Sequence, residues 1–282
     1  IPTLLAINYR FDRRGQVMMM GIILMIVLPL TVSLAVAFVP DPAPAEDAPK
    51  MKFSWDAIKV AFKDPNMVRI LMVEVLVGIA IAGTGGMFLF AAQWGCGVTN
   101  LAPVILMVFF IAGFAAMPVW IWLSKRTEKH LVFMGTAIWS IVTYLVYLPM
   151  SAMGGGAIPL LIAAIVSGLG YGTPFILARS MVADIIEAEQ AKTGENRSGM
   201  YYSLMSGSYK TGASFAIGIP YILLGAFVGF DPSGENSPDV VRGLMLVFVG
   251  VPVVSYALAA FILRNYRLTR AEQQANAEKL AA

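Results

Sequence analysis

MVADIIEAEQAKTGENRSGMYYSLMSGSYKTG, residues 181–212, decides how this chain is to be read. An apolar stretch ends at Asp184, a polar loop follows over Glu187–Arg197, and a second apolar stretch then carries a single lysine, Lys210. A helix rises about 1.5 Å per residue, so Lys210 lies roughly 16 Å beyond Gly199. That is about the middle of a hydrocarbon layer some 30 Å thick. A cation at that depth is costly and points to function rather than to packing.

The rest of the chain supports a membrane reading. Hydrophobic residues make up 58% and charged residues 13% of the chain, with a mean hydropathy of +0.74. Soluble domains carry about 25% charged residues, so this chain cannot cover a soluble core of its size. The net charge of +3 reflects loop placement and does not suggest a nucleic-acid surface. Cys96 and His130 are each the single residue of their type, which removes an internal disulfide and His-rich zinc sites. No metal site, catalytic residue or cofactor beyond a coupling ion is expected. Apolar runs long enough to cross a bilayer fall near 17–39, 67–90, 102–123, 131–150, 157–181, 200–229 and 243–263. The expected fold is an all-α membrane bundle. Residues 1–8 read as the end of a further helix, and the chain starts without Met, so a missing N-terminal part is expected.

Loop charge orients the bundle. The segments 40–66, 124–130, 182–199 and 264–282 hold 13 Lys and Arg, against 4 in the intervening ones. The positive-inside rule places the first set in the cytoplasm. Segment 40–66 is the longest of these and begins with a Pro/Ala-rich, extended stretch. Phe53–Lys63 then has Phe53, Ala57, Ile58, Ala61 and Phe62 at helical spacing, with Trp55 among them. This predicts a short helix on the inner membrane surface with Trp55 at headgroup level, stopped by Asp64-Pro65.

Within the spans, Ser206 precedes Lys210 by one turn and Tyr202 continues the same face. Together they offer hydroxyls and an ammonium to a polar cavity; the bland alternative is a snorkelling lysine, for which mid-span is too deep. Gly207, Gly212, Ala213, Ser214 and Gly218 keep this helix thin. Ser167–Phe175, SGLGYGTPF, holds three glycines and a proline. It reads either as a discontinuous, ligand-lining helix with Phe175 offering a ring, or as small-residue packing. Glu74 could bind a cation or proton, or pair with Arg69 or Arg179; Arg179 is expected to snorkel to the cytoplasmic side. A Ser206–Lys210 hydrolase pair is formally possible, but no oxyanion-hole motif accompanies it.

The run from Met181 through Asp184 and Glu187, then Lys192-Thr-Gly194, Arg197, Gly199, Tyr202-Ser203 and Lys210, resembles the helix-ten to helix-eleven connection of the glycoside–pentoside–hexuronide:cation symporters. These form the melibiose-permease branch of the major facilitator superfamily. The tail Asn265-Tyr-Arg-Leu-Thr-Arg270 resembles the exit from that family's last helix. The likeness is specific over about 40 residues and topological elsewhere. It implies 1–39 as the end of the N-terminal half (tail of helix five, helix six), 40–66 as the central cytoplasmic linker, 67–263 as the C-terminal six-helix half and 264–282 as a cytoplasmic tail.

The resemblance further implies a multi-pass protein of a bacterial inner membrane that carries a sugar-like solute with Na⁺ or H⁺. It places Lys210 at the sugar and cation site, with Ser206 and Tyr202 along the same cavity and Glu74 as a second candidate for cation coupling. Phe175 matches a tryptophan that helps hold the sugar in that branch, so the indole N–H is absent here. Asp184, Glu187 and Arg197 are implied as a cytoplasmic gate, although Ala188 stands where an aromatic is usual. The branch's main cation-binding carboxylates lie in helices that precede this chain. The alternatives are a lipid or lysolipid transporter on the same fold and, far behind, an intramembrane hydrolase.

Overall fold

The computed structural model describes residues 13–38 and 55–281, and every regular element among them is helical. The chain divides into two compact units, 1–53 and 54–282. The first contains α1 (Arg13–Phe38), which has no charged side chain after Arg14. Pro29 interrupts its hydrogen-bond ladder, and nearby the Thr31 hydroxyl donates to the carbonyls of Val27 (2.9 Å) and Leu28 (3.0 Å).

The second unit opens with α2 (Trp55–Lys63) and α3 (Pro65–Phe90), the latter extended by a π-helical turn at Ala91–Gly95. Then come α4 (Ala102–Ser124), α5 (Lys129–Leu145), α6 (Tyr147–Ala152), α7 (Ala157–Gly168) and α8 (Thr173–Thr193). It closes with α9 (Ser198–Ile222), a π-helical extension at Leu223–Val228, α10 (Pro238–Leu263) and α11 (Arg270–Ala281). Among the described residues, seven helical stretches are long and apolar enough to cross a membrane. They coincide in number and order with the runs expected from sequence.

Local chemistry sets the boundaries. Asp64 accepts hydrogen bonds from the backbone of Asn66 (2.7 Å) and Met67 (3.4 Å) and so caps α3, with Pro65 in its first turn. In α2, Ala61 is buried while Phe62 is 52% exposed, as suits a helix with one face on the bundle and the other towards lipid. Its proposed start at Phe53, the preceding linker and the placement of the Trp55 side chain lie outside the described residues.

One boundary differs clearly from expectation. The loop read at 187–197 is only four residues long, because α8 continues to Thr193 and ends on Gly194 at φ 74°. The intervening EAEQAK is built of strong helix formers. Ile186 and Ala188 are buried, and α11 packs along α8, so tertiary contact holds the extension as well.

Helix α3 forms the centre, packed along both α9 and α10; α10 also packs on α5, and α4 on α7. Two buried clusters stack along the bundle. One includes Met67, Val77, Leu177 and Met205; the other includes Ala80, Phe88, Tyr147 and Phe248. At the end of the first cluster, Lys129 meets Asp184, His130 lies 5.6 Å from Tyr266 ring to ring, and the Arg267 N–H donates to Asn66 (3.2 Å). These are the cation-rich segments, so they do share one end of the bundle, the cytoplasmic end by the positive-inside rule. At the far end the Gly156 N–H donates to Cys96 (2.9 Å), and Trp94 and Phe90 pack edge-on against Phe230.

Of the small residues noted in α9, Gly212 alone among the glycines 207, 212 and 218 makes a close approach. A Cβ there would strike the Val75 carbonyl, and one on Gly78 would strike that of Tyr209. Gly207 and Gly218 have nothing within 4 Å. The α3–α9 contact is therefore backbone on backbone at the level of Gly78 and Gly212.

Candidate functional site

The discontinuity at 169–172 is built into the bundle rather than merely tolerated. The last carbonyls of a helix lack intrahelical donors, and in a membrane no water replaces them. Two indoles do so here: Trp120 of α4 donates to Leu169 (2.7 Å) and Trp139 of α5 donates to Val166 (2.9 Å). Gly168 lets the chain lie against the Phe109 backbone, where a Cβ would not fit. The two readings of this stretch, discontinuous helix and small-residue packing, are thus both true. Sequence alone had no signal for the tryptophan donors, which sit some 30 to 50 residues away.

Beyond the break an aromatic ladder runs across three helices. Tyr171 packs edge-on against Phe109 (5.2 Å) and Phe110 (5.1 Å) of α4, Phe175 against Tyr171 (5.8 Å), and Tyr209 of α9 against Phe175 (5.5 Å). A small cavity of about 40 Å³ opens beside Tyr171, walled by Phe88, Tyr144, Tyr147 and Phe248. Tyr171 and Tyr209 were not singled out from the sequence. Their position next to Gly172 and Lys210 was the available signal.

Lys210 sits where the two buried clusters meet, since its neighbours Tyr209 and Gly212 face Gly78 and Val75 of α3. Its side chain is exposed, and its ammonium has no ion pair or hydrogen bond among the described residues. Ser206 is exposed one turn towards the cytoplasm. Tyr202 lies one turn further and donates through its hydroxyl to the Arg179 carbonyl (3.4 Å), tying α9 to α8. Phe175 reaches Tyr209 rather than Lys210 itself, so the ring and the ammonium lie on adjoining faces.

Glu74 is 3% exposed. It forms no ion pair with Arg69, whose guanidinium donates instead to Asn66 (3.2 Å), but it interacts electrostatically with Arg179 and Tyr209. Arg179 departs from expectation. Rather than snorkelling to the cytoplasm, it turns back one helical turn, donates to the Phe175 carbonyl (2.9 Å) and lies over that ring at 6.0 Å. The guanidinium finds both a carbonyl and a π face there. This adds Arg179 to the wall formed by Glu74, Phe175 and Tyr209.

The three residues implied as a gate are not brought into one network. Asp184 binds Lys129 through both carboxylate oxygens at 2.7 Å, joining α8 to the start of α5. Arg197 binds Glu189 (2.7 Å) and Glu195 (2.6 Å), which closes the short α8–α9 turn on itself. Hydrogen bonding to Glu195, with the Glu189 carboxylate beside it, holds Arg197 above the ordinary guanidinium range and firmly charged. Glu187 is half-buried and makes no ion pair among the described residues. From sequence Lys129 is one of the cations of segment 124–130 that orient the bundle, and a 55-residue separation hides its partnership with Asp184.

A bundle with seven helical stretches long and apolar enough to cross a bilayer has the make-up of a multi-pass membrane protein. The chain belongs to the MFS/sugar transport protein family, which it matches over residues 2–270. It is similar to the glucuronide carrier protein homolog of Escherichia coli (27% identical over 64% of this chain and 39% of the relative). The isoprimeverose transporter of Lactiplantibacillus pentosus is 27% identical over 61% of this chain and 36% of its own. The sodium-dependent lysophosphatidylcholine symporter 1-A of Danio rerio is 22% identical over 76% of this chain and 40% of its own. The chain thus spans about two fifths of the length of these relatives.

Proposed function

We propose that this chain supplies the C-terminal half of a cation-coupled symporter for a sugar, glycoside or uronate, working by alternating access. In this reading 67–263 is the six-helix half, 1–39 the end of the preceding half, 40–66 the cytoplasmic linker and 264–282 the tail. The observation that carries it is Lys210, charged, unpaired and exposed at the level where the two buried clusters meet. Lys210 and Ser206 bind substrate oxygens; Phe175 and Tyr209 present ring faces to the apolar side of a pyranose; Tyr202 closes the cytoplasmic edge. Glu74 and Lys210 share the coupling of Na⁺ or H⁺. On the inner side, Asp184, Glu187 and Arg197 serve as the gate: the Asp184–Lys129 contact breaks as the cytoplasmic side opens, and Glu187, unpaired among the described residues, exchanges contacts with the preceding half. The membrane is that of a bacterial cell.

Lys210→Ala in the whole protein is expected to abolish accumulation while leaving membrane insertion intact. Unchanged uptake in that variant sinks the assignment. The second reading is a lysolipid carrier, favoured by the 22% identity to the lysophosphatidylcholine symporter over 217 residues. Proteoliposome uptake of labelled glycosides, uronates and lysophospholipid, each with and without Na⁺, separates the two.

A further inference from the structure

The cytoplasmic ends of α4 and α5, the N-terminal half of α8 and the first turn of α11 line a cleft of about 360 Å³. That is within the range of small-molecule sites, roughly 300–1,000 Å³. Its lining is graded. Ile121, Ile176 and Leu177 form the part deeper in the bundle, and Leu177 lies about 10 Å along α8 from Asp184. Lys125, Lys129 and Arg270 form the rim with Thr127 and Gln273.

The rim is short of anions. Glu128 is its single lining carboxylate, and it already accepts the Arg270 N–H (3.2 Å and 3.3 Å to its two oxygens). Lys129 is bound to Asp184, but Lys125 and the Arg270 guanidinium have no ion pair among the described residues. Solvated topology charges would account for cations near this end, yet not for their convergence on a cleft with an apolar floor. The depth is marked independently. Trp122 is 52% exposed and carries Arg126 over its ring at 4.1 Å, next to the cleft. An exposed tryptophan with a cation above it is the usual furniture of the headgroup layer.

We propose that this cleft binds the phosphate head group of an anionic phospholipid of the inner leaflet, its acyl chains lying towards Ile121 and Ile176. Basic pockets at the cytoplasmic ends of transmembrane helices suit such lipids. The phosphate oxygens bridge Lys125 of the α4–α5 loop and Arg270 of α11, so the lipid pins the C-terminal helix onto the bundle next to the Lys129–Asp184 pair.

The test uses the whole protein in detergent, comparing phosphatidylglycerol, phosphatidylcholine and inorganic phosphate. Native mass spectrometry counts bound lipid, and thermal midpoints report stabilisation. Phosphatidylglycerol is expected to be retained preferentially and to raise the midpoint. The double variant Lys125→Gln/Arg270→Gln should bind it roughly thirty-fold more weakly, at about 1 kcal/mol for each lost cation. The control Arg242→Gln/Lys279→Gln, which removes two cations elsewhere, should not change it. Equal retention of both lipids by the unaltered protein overturns the proposal without any variant being needed. So does equal weakening in the control, or stabilisation by inorganic phosphate that matches the lipid's.

Discussion

The backbone contact between α3 and α9 makes a demand that one methyl group can test. In Gly212→Ala the new Cβ would lie 2.8 Å from the Val75 carbonyl carbon and 2.9 Å from its Cα, besides striking the oxygen. Carbon atoms rest about 3.5–4.0 Å apart, so these two contacts alone require the helices to separate by roughly 0.6–1.2 Å. Neither side is the end of a flexible side chain that could swing away. Overpacking of this kind costs about 1–3 kcal/mol. Gly207→Ala, five residues earlier on the same helix, meets nothing within 4 Å. There the exchange favours the helix by roughly 0.5–1 kcal/mol. Two single methyl insertions should thus differ by about 1.5–4 kcal/mol. Thermal unfolding of the purified whole protein should place Gly212→Ala several degrees below Gly207→Ala, with the parent between them. Because Lys210 lies two residues from the displaced contact, uptake should fall in the first variant. Equal midpoints for the two would refute the backbone contact.

Three further outcomes follow from the site's surroundings. Trp120→Phe keeps the ring but strands the Leu169 carbonyl at the helix break, costing about 1–3 kcal/mol, and amide exchange around 169–172 should quicken; unaltered exchange would show that the indole bond is dispensable. Asp184→Asn and Lys129→Gln should each destabilise, while the double variant loses less than their sum by a coupling of about 0.5–3 kcal/mol; strict additivity would contradict the ion pair. At the start of α11, Glu272 accepts the Thr269 N–H (2.9 Å) and hydroxyl (3.1 Å), which holds its carboxyl below the ordinary range. Its contribution is in place at neutral pH and is lost as pH falls through the carboxylate range, so 270–281 should exchange amides faster in acid after correction for intrinsic rates; Glu272→Gln should abolish that pH dependence, whereas Thr269→Ala, which keeps the backbone donor, should only weaken it.

The spans were legible because twenty or so apolar residues in a row have few other uses, and the positive-inside imbalance oriented them. Lys210 and Ser206 were legible for the same reason: a polar side chain stands out against such a background. The extension of α8 to Thr193 is not, since polarity over 187–193 reads as a loop although each residue from Glu187 to Lys192 is a strong helix former. The sequence gives no sign that Arg179 turns back, because snorkelling is the default for a cation near a helix end and the competing carbonyl and ring of Phe175 become visible only in three dimensions. Lys129–Asp184 and the two indole donors at the break pair residues 27 to 55 positions apart, for which periodicity carries no information.

The exposure of Lys210 restricts what can lie against α9. An ammonium left in hydrocarbon at mid-depth costs at least about 2.5–3.5 kcal/mol, and Ser206 and Gly207 beside it offer one hydroxyl and a bare backbone. The face must therefore meet either a permanent carboxylate from another segment or a water-filled cavity. The two arrangements respond oppositely to Lys210→Met. A permanent ion pair would leave an orphaned buried carboxylate, and the protein would lose about 3–5 kcal/mol of stability. A lysine that faces a cavity loses only an unfavourably placed charge, so the variant should melt no lower than the parent while accumulation disappears. Stability retained with transport lost is the expected result. A variant that fails on both counts would make Lys210 a structural ion, and the substrate-binding role assigned to it would fall.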